Sequence, residues 1–175
     1  MLVAGVDERA VEELFRALVM IFKDHHRLFL FGCGGSASNA SHIASEFVSH
    51  WTGIKLPALA LTTDPAVLTA IANDYGFENV FCHQVEALAQ RGDFVIGLST
   101  NGVAPAVEKG IQWAKDHGMV TSAWTGSKGL KFSRMSDHPI VVDKEWVGTI
   151  QERHLELGHL LSDLVCNHFL DRVKG

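Results

Sequence analysis

Residues 27–38 read RLFLFGCGGSAS, and this stretch decides the fold of the chain. Its opening, residues 27–31, is a short apolar run, which is typical of a strand buried on both faces of a sheet. The run ends at Gly32, and a glycine-rich turn then leads into a helix predicted at residues 36–50. A strand, a tight turn and a helix in immediate succession form the repeating unit of parallel α/β sheets.

Apolar runs of the same kind recur along the chain, and predicted helices separate them. The predicted strands lie at residues 27–31, 56–61, 93–98, 119–124 and 139–142. The predicted helices lie at residues 6–25, 36–50, 65–73, 78–90, 103–117, 130–135 and 148–173. Because the strands are continuous apolar runs rather than alternating patterns, the sheet should be parallel, with helices on both faces.

We therefore predict an α/β fold, a three-layer α/β/α sandwich around a five-stranded parallel sheet in the flavodoxin-like order. Residues 1–175 are expected to form a single domain. Its parts are an N-terminal helix at about 6–25, a sheet core at about 27–142 and a long C-terminal helix at about 148–173. This strand order places ligands outside the carboxyl ends of the strands.

The composition excludes several classes of protein. The net charge of −5 argues against a nucleic-acid partner, since phosphate backbones need a basic surface. The three cysteines include no close pair, which argues against a disulfide framework and a Cys-x-x-Cys metal site. No apolar run reaches the ~18 residues of a membrane helix, and the N-terminal residues lack a signal-peptide pattern. We therefore expect a cytoplasmic protein with no membrane partner.

Two strand-to-helix turns carry the pattern of an anion site. Residues 32–38 (GCGGSAS) follow the first strand, and residues 99–102 (STNG) follow the third. Glycines, hydroxyls and a helix N-terminus together bind anions well, although the same residues are also ordinary caps and turns. Ala37 breaks a G-x-G-x-x-G pattern, and a P-loop lysine is absent, so dinucleotides and nucleoside triphosphates are not expected. The turns instead predict a small monophosphorylated ligand.

Polar side chains recur on two of the predicted helices. His42 and Glu46 are spaced i, i+4, which puts an imidazole and a carboxylate on one helix face. Such a pair can share a metal ion or a substrate proton, although in isolation a partly buried histidine beside a solvated charge is the more ordinary reading. The apolar C-terminal helix also carries polar residues that an apolar environment would not favour unless they face a site. These residues are Gln151, Glu152, His154, Glu156 and His159.

Taken together, these motifs resemble the bacterial phosphoheptose isomerases of the sugar isomerase (SIS) domain superfamily. The string GCGGSA, the His42/Glu46 pair, ANDYGFENVF, GLSTNG and IQERHLELGH follow one another between about residues 28 and 170. The resemblance implies an enzyme that interconverts sedoheptulose 7-phosphate and a heptose 7-phosphate on the path to lipopolysaccharide heptose. It also implies a homotetramer with active sites at subunit interfaces, and one Zn²⁺ per active site.

The resemblance also implies roles for individual residues. The implied metal ligands are His42, Glu46, Gln151 and His159, with Glu46 also the catalytic base and His159 the catalytic acid. The implied substrate and phosphate contacts are Ser36, Ser99, Thr100, Asn101, Asp74, Thr125 and Gln151. A carboxylate base, an acid and a metal suit an aldose–ketose isomerisation through an enediolate.

Helix geometry adds a hypothesis about the subunits. Gln151 and His159 are eight residues apart, so their Cα atoms should lie roughly 12 Å apart along one helix. Two side chains at that separation would have to stretch almost end to end to reach one metal ion. At least some sites are therefore expected to be completed across subunits.

The sequence departs from the family pattern around the ligand rather than at the metal. The departures are Cys33, Asn101 and Ala104 near the phosphate turns, His50 in place of an arginine, and Gly148 and Thr149 in place of an aspartate and an arginine. Loss of a cationic contact at His50 is expected to weaken phosphate binding. These changes bear on the identity of the sugar more than on the reaction class.

A second function remains open from the sequence alone. The string TDPAVLTAIAND also resembles a non-catalytic relative that associates with a replication initiator and lacks the metal residues. A phosphosugar-binding protein without catalysis is a further alternative. The quartet His42, Glu46, Gln151 and His159 separates these readings, since an adaptor would have no reason to keep it.

Overall fold

The computed structural model of the chain describes residues 3–174. Residues 1, 2 and 175 of the predicted domain lie outside the described residues, and the single-domain organisation stays a prediction. Within the described range, no helix is long and apolar enough to cross a membrane.

A five-stranded sheet forms the centre of the structure. Its strands are β1 (Leu28–Gly32), β2 (Ala58–Ala60), β3 (Phe94–Leu98), β4 (Val120–Gly126) and β5 (Ile140–Val142). They lie in the order β2-β1-β3-β4-β5, and every neighbouring pair is parallel. The predicted five-stranded parallel sheet in flavodoxin-like order is therefore confirmed.

Within residues 3–174, seven α-helices surround the sheet. They are α1 (Glu8–Lys23), α2 (Gly35–Val48), α3 (Pro65–Tyr75), α4 (Cys82–Leu88), α5 (Pro105–Asp116), α6 (Leu130–Ser133) and α7 (Val147–Lys174). Side chains alternate along β1, so Leu28 and Leu30 pack into a core with α1, α2 and α7. Phe29 and Phe31 point the other way, into a second core with α4 and α5. Two cores on opposite faces confirm the predicted three-layer α/β/α sandwich.

Several elements are shorter than predicted, and two of them show a physical reason. The helix predicted at residues 78–90 is a 3₁₀ turn (Phe77–Asn79) followed by α4. The Asn79 amide donates to the Tyr75 carbonyl oxygen, a side-chain bond that competes with continuous helix. The strand predicted at residues 56–61 is limited to Ala58–Ala60 at the edge of the sheet, where only β1 pairs with it.

A close approach between elements places the first turn beside the third strand. A Cβ at Gly32 would lie 2.8 Å from the Ser36 Cβ and 2.9 Å from the Leu98 carbonyl oxygen. Only glycine therefore fits where β1, β3 and the first turn of α2 meet. This packing brings the ends of β1 and β3 together at one edge of the sheet.

Candidate active site

A small cavity lies where the strand order reverses. The chain leaves β1 towards α2 on one face of the sheet and leaves β3 towards α5 on the other face. The crevice between two such crossovers is the usual ligand site of an open α/β sheet. It holds a cavity of about 120 Å³, which we call the switch-point cavity. Its walls are Cys33, Ser36, Leu98, Ser99, Thr100, Asn101, Ala104 and Gln151.

The two buried serines in this cavity differ from the other buried serines of residues 3–174. Ser36 and Ser99 are only 3% and 5% exposed, yet neither side chain has a hydrogen-bond partner in the part of the chain described. Buried serines elsewhere donate to backbone carbonyls, as Ser122, Ser133, Ser136 and Ser162 do. Since buried polar groups are nearly always bonded, two open hydroxyls in one cavity indicate a ligand-binding site.

The two helices that begin at the cavity have open N-termini. The N-cap residues of α2 and α5 are Gly34 and Ala104, and neither provides a side-chain hydrogen bond. By contrast, Asp7 caps α1 and Asp64 caps α3 through their carboxylates. The positive ends of two helix dipoles are thus left without a carboxylate at the cavity, which favours an anion there.

Gln151 reaches the cavity from the C-terminal helix. Its amide lies over Gly35, where an added Cβ would come within 2.6 Å of the amide nitrogen and oxygen. The Asn39 amide donates to the Gln151 backbone carbonyl at 2.8 Å and holds this turn of α7 against α2. Sequence reasoning missed Asn39, although its position three residues before His42 on the same helix could have indicated it.

Three of the four predicted metal ligands converge in a second group, which we call the metal-ligand cluster: His42, Glu46 and His159. The Nε2 atoms of His42 and His159 lie 2.9 Å apart, and His42 Nε2 lies 3.4 Å from Glu46 Oε1. The ligand atoms of all three residues lie within 4.8 Å of one another. Two ligands of a tetrahedral zinc site are separated by about 3.3 Å, given metal–ligand distances near 2.0 Å. The cluster could therefore hold a divalent cation with little rearrangement.

Of the remaining predicted residues, Gln151 lies in the cavity but outside the metal-ligand cluster, and Asp74 and Thr125 lie in neither. Gln151 lines the switch-point cavity, about two helical turns before His159 on α7. Asp74 is exposed on α3, where its carboxylate accepts from the Asn73 amide, and it does not line the cavity. Thr125 is fully buried at the end of β4, where its side chain packs against Gly129. The ligand contacts inferred for Asp74 and Thr125 stay predictions.

Three of the departures from the family pattern line the cavity, and His50 does not. Cys33, Asn101 and Ala104 all form its wall. Burial raises the pKa of the Cys33 thiol, which keeps it a neutral, weakly reactive group. His50 is buried two residues beyond the end of α2 and bonds to Asp163 and Thr52. Within this chain, residue 50 thus faces α7 instead of the phosphate turns.

His154 is a buried histidine whose environment the sequence did not define. It is fully buried and packs edge-on against Trp124, with 5.8 Å between ring centroids. Loss of hydration lowers the pKa of His154 to about 4, although the nearby Thr125 backbone raises it slightly. The ring is therefore neutral at physiological pH and does not serve as an acid.

Comparison with known proteins yields a consistent set of relatives. The SIS domain family matches residues 3–126. A phosphoheptose isomerase of Thermodesulfovibrio yellowstonii is 44% identical over 157 residues, covering 89% of this chain and 78% of that protein. One of Aquifex aeolicus is 46% identical over 145 residues, covering 82% and 76%. The solved structure of a phosphoheptose isomerase from Francisella tularensis superposes with a TM-score of 0.88 at 30% identity, covering 91% of this chain and 86% of that one.

Proposed function

Because the chain belongs to the SIS domain family and, within it, to the phosphoheptose isomerases, we propose that it is a metal-dependent aldose–ketose isomerase. Membership of that family makes it a phosphosugar isomerase. The proposed substrate pair is sedoheptulose 7-phosphate and a heptose 7-phosphate. The observation that carries the proposal is that α2 contributes residues both to a cavity suited to phosphate and to a cluster suited to a metal ion.

The phosphate half of the proposal rests on the open donors of the switch-point cavity. The Ser36, Ser99 and Thr100 hydroxyls and the two uncapped helix ends supply neutral donors and positive dipoles. Such a site binds a monophosphate without a cationic side chain, which agrees with the acidic charge of the chain.

The separation of the two sites suits a seven-carbon sugar. Ser36 and His42 are six residues apart on α2, about 9 Å along the helix axis. An extended seven-carbon chain spans about 8 Å from C1 to C7, given carbon–carbon bonds near 1.5 Å. A phosphate held at Ser36 therefore supports placement of the reacting C1 and C2 atoms beside the cluster.

The chemistry of the cluster fits a divalent cation and a proton transfer. His42, Glu46 and His159 would hold the metal, and the imidazole and carboxylate donor set suits zinc. A bound zinc ion would act as a Lewis acid that polarises the sugar carbonyl. Gln151, from the same or a neighbouring subunit, is the proposed fourth ligand.

Glu46 and His159 would move the protons. Starting from the ketose, the Glu46 carboxylate takes a proton from C1 and returns it to C2. His159 gives a proton to the oxygen on C2 and accepts the proton from the oxygen on C1. The intermediate is an enediolate, and the net change is one proton on carbon and one on oxygen.

The proposal also includes the oligomeric state of the protein and its location in the cell. Since Gln151 and His159 lie two turns apart on α7, a homotetramer with interfacial active sites would let Gln151 of one subunit serve another. The proposed setting is a cytoplasmic role in lipopolysaccharide heptose synthesis, which the family resemblance supports. A replication-initiator adaptor is the weaker reading, because an adaptor has no need of converged metal ligands.

The proposal is tested by solvent proton exchange at C2 of a heptose 7-phosphate, followed by ¹H NMR in D₂O with added zinc. Wild type should exchange the C2 proton and Glu46→Gln should not, since a general base contributes about 10²- to 10⁴-fold. Glu152→Gln, an exposed carboxylate of α7, is the matched control and should keep wild-type exchange. Exchange by Glu46→Gln at the wild-type rate would refute the assigned base, and no exchange by wild type would refute the isomerase.

A further inference from the structure

Helices α2 and α7 lie side by side and carry the whole metal-ligand cluster. Contacts follow the same order along both segments: Asn39 with Gln151, His42 with His159, and His50, two residues beyond the end of α2, with Asp163. From the first contact to the last α7 rises about 18 Å. The cluster thus lies between two polar contacts that join α7 to α2 and to the segment that follows α2.

The contact between His50 and Asp163 is part of a hydrogen-bonded network of polar side chains. His50 Nε2 lies 3.0 Å from Asp163 Oδ1, and the Trp51 indole N–H donates to the same oxygen at 3.1 Å. The His50 side chain is 1% exposed, whereas Asp163 is half exposed. The Thr52 backbone N–H points at His50 Nδ1 at 3.4 Å, so Nδ1 accepts and Nε2–H is left to donate to Asp163. This arrangement fixes both the tautomer and the orientation of the ring.

Between the two contacts α7 packs directly against α2. A Cβ at Gly158 would lie 2.3 Å from an Ile43 side-chain carbon, so the two helices touch beside His42 and His159. A small slide or rotation of α7 at Asp163 would therefore change the separation of the ligand atoms. Metal–ligand distances in a well-formed site stay within about 0.2 Å of their usual values, so such a change would weaken metal binding.

We infer that Asp163, bound by His50 and Trp51, is a positioning residue for the metal-ligand cluster. It fixes α7 against the segment that follows α2, one turn beyond His159, and so limits how far the two histidine Nε2 atoms can move from their 2.9 Å separation. The position where the family resemblance implies an arginine has in this chain become the donor of that contact. The inference rests on the proposed metal site but not on the identity of the sugar.

Binding of Co²⁺ to the metal-free full-length protein tests the inference, with the visible d–d spectrum as a readout independent of activity. Asp163→Ala should raise the Kd for Co²⁺ about tenfold and alter the spectrum. A tenfold change is the lower end of the range seen when residues that orient metal ligands are replaced. Asp163→Asn keeps an oxygen acceptor, and a neutral acceptor is about half as strong, so its Kd should rise only about threefold. Because water can reach the half-exposed Asp163 site, both variants are expected to fold.

Glu156→Ala is the matched control, since Glu156 pairs with Arg153 within α7 and does not bridge to α2. It should bind Co²⁺ with the wild-type Kd and spectrum. If Asp163→Ala does not fold, the comparison of Asp163→Asn with Glu156→Ala carries the same test. Wild-type affinity in the Asp163 variants would overturn the positioning role alone, whereas a wild type that binds no Co²⁺ would overturn the metal site as well.

Discussion

Replacing Ser36 by alanine removes a buried hydroxyl that has no partner in the described fold. The variant keeps the Cβ that packs against Gly32, so no cavity opens in the core. Because no protein hydrogen bond is lost, the free energy of unfolding should stay within about 0.5 kcal/mol of wild type. The effect of the change should appear in ligand binding instead.

The size of the binding effect follows from the charge of the ligand. A hydrogen bond to a charged group contributes about 1.5–3 kcal/mol, which corresponds to a roughly 10- to 150-fold rise in Kd. The KM for the sugar phosphate and the Kd for inorganic phosphate should rise together, with kcat less affected. Isothermal titration calorimetry and steady-state kinetics measure the two quantities on the same preparation.

Ser133→Ala is the matched control for this prediction. Ser133 is also 3% exposed, but its hydroxyl donates to the Leu130 carbonyl at 3.0 Å, and it does not line the cavity. Its loss should cost about 1 kcal/mol of stability and leave phosphate binding unchanged. If Ser36→Ala instead lost stability as Ser133→Ala does and bound phosphate normally, the assignment of the cavity would be refuted.

Three further predictions concern the cavity, the substrate and the buried histidine. In Gly35→Ala, the new Cβ displaces the flexible Gln151 amide, so kcat/KM should fall while the urea midpoint stays near that of wild type. A five-carbon sugar phosphate is about 2.5 Å too short to span the two sites, so its kcat/KM should be lower by about 100-fold; equal kcat/KM values would contradict the spacing. Below pH 6.5 the unfolded chain protonates His154 while the folded one does not until about pH 4, so stability should fall with decreasing pH in that window. The slope should approach about 1.4 kcal/mol per pH unit in urea titrations and be smaller in His154→Leu, and identical slopes would contradict it.

Much of the fold was predictable because its signals are local. The apolar runs that become β1 and β3 are buried along their whole length, and hydrophobic runs bounded by glycine predict such strands well. One boundary error arose where a side chain competed with the backbone. Asn79 broke the helix predicted at 78–90 through a bond to Tyr75 that depends on the local fold.

The candidate site was predictable only in part because its members are distant in sequence. The i, i+4 spacing of His42 and Glu46 is visible in the sequence, but His159 lies 117 residues further on, and only the packing of α7 on α2 brings it to 2.9 Å. His50 likewise has a partner, Asp163, that comes from the same distant helix. Family resemblance supplied the roles of these residues, and tertiary packing decided where they point.

A crystal structure with zinc and a heptose 7-phosphate bound, with anomalous data at the zinc edge, tests the central claim most directly. The account predicts an anomalous peak within bonding distance of His42, Glu46 and His159, with the phosphate on the Ser36 and Ser99 hydroxyls and C1 and C2 beside Glu46. A metal bound elsewhere, or a phosphate outside the switch-point cavity, would contradict it.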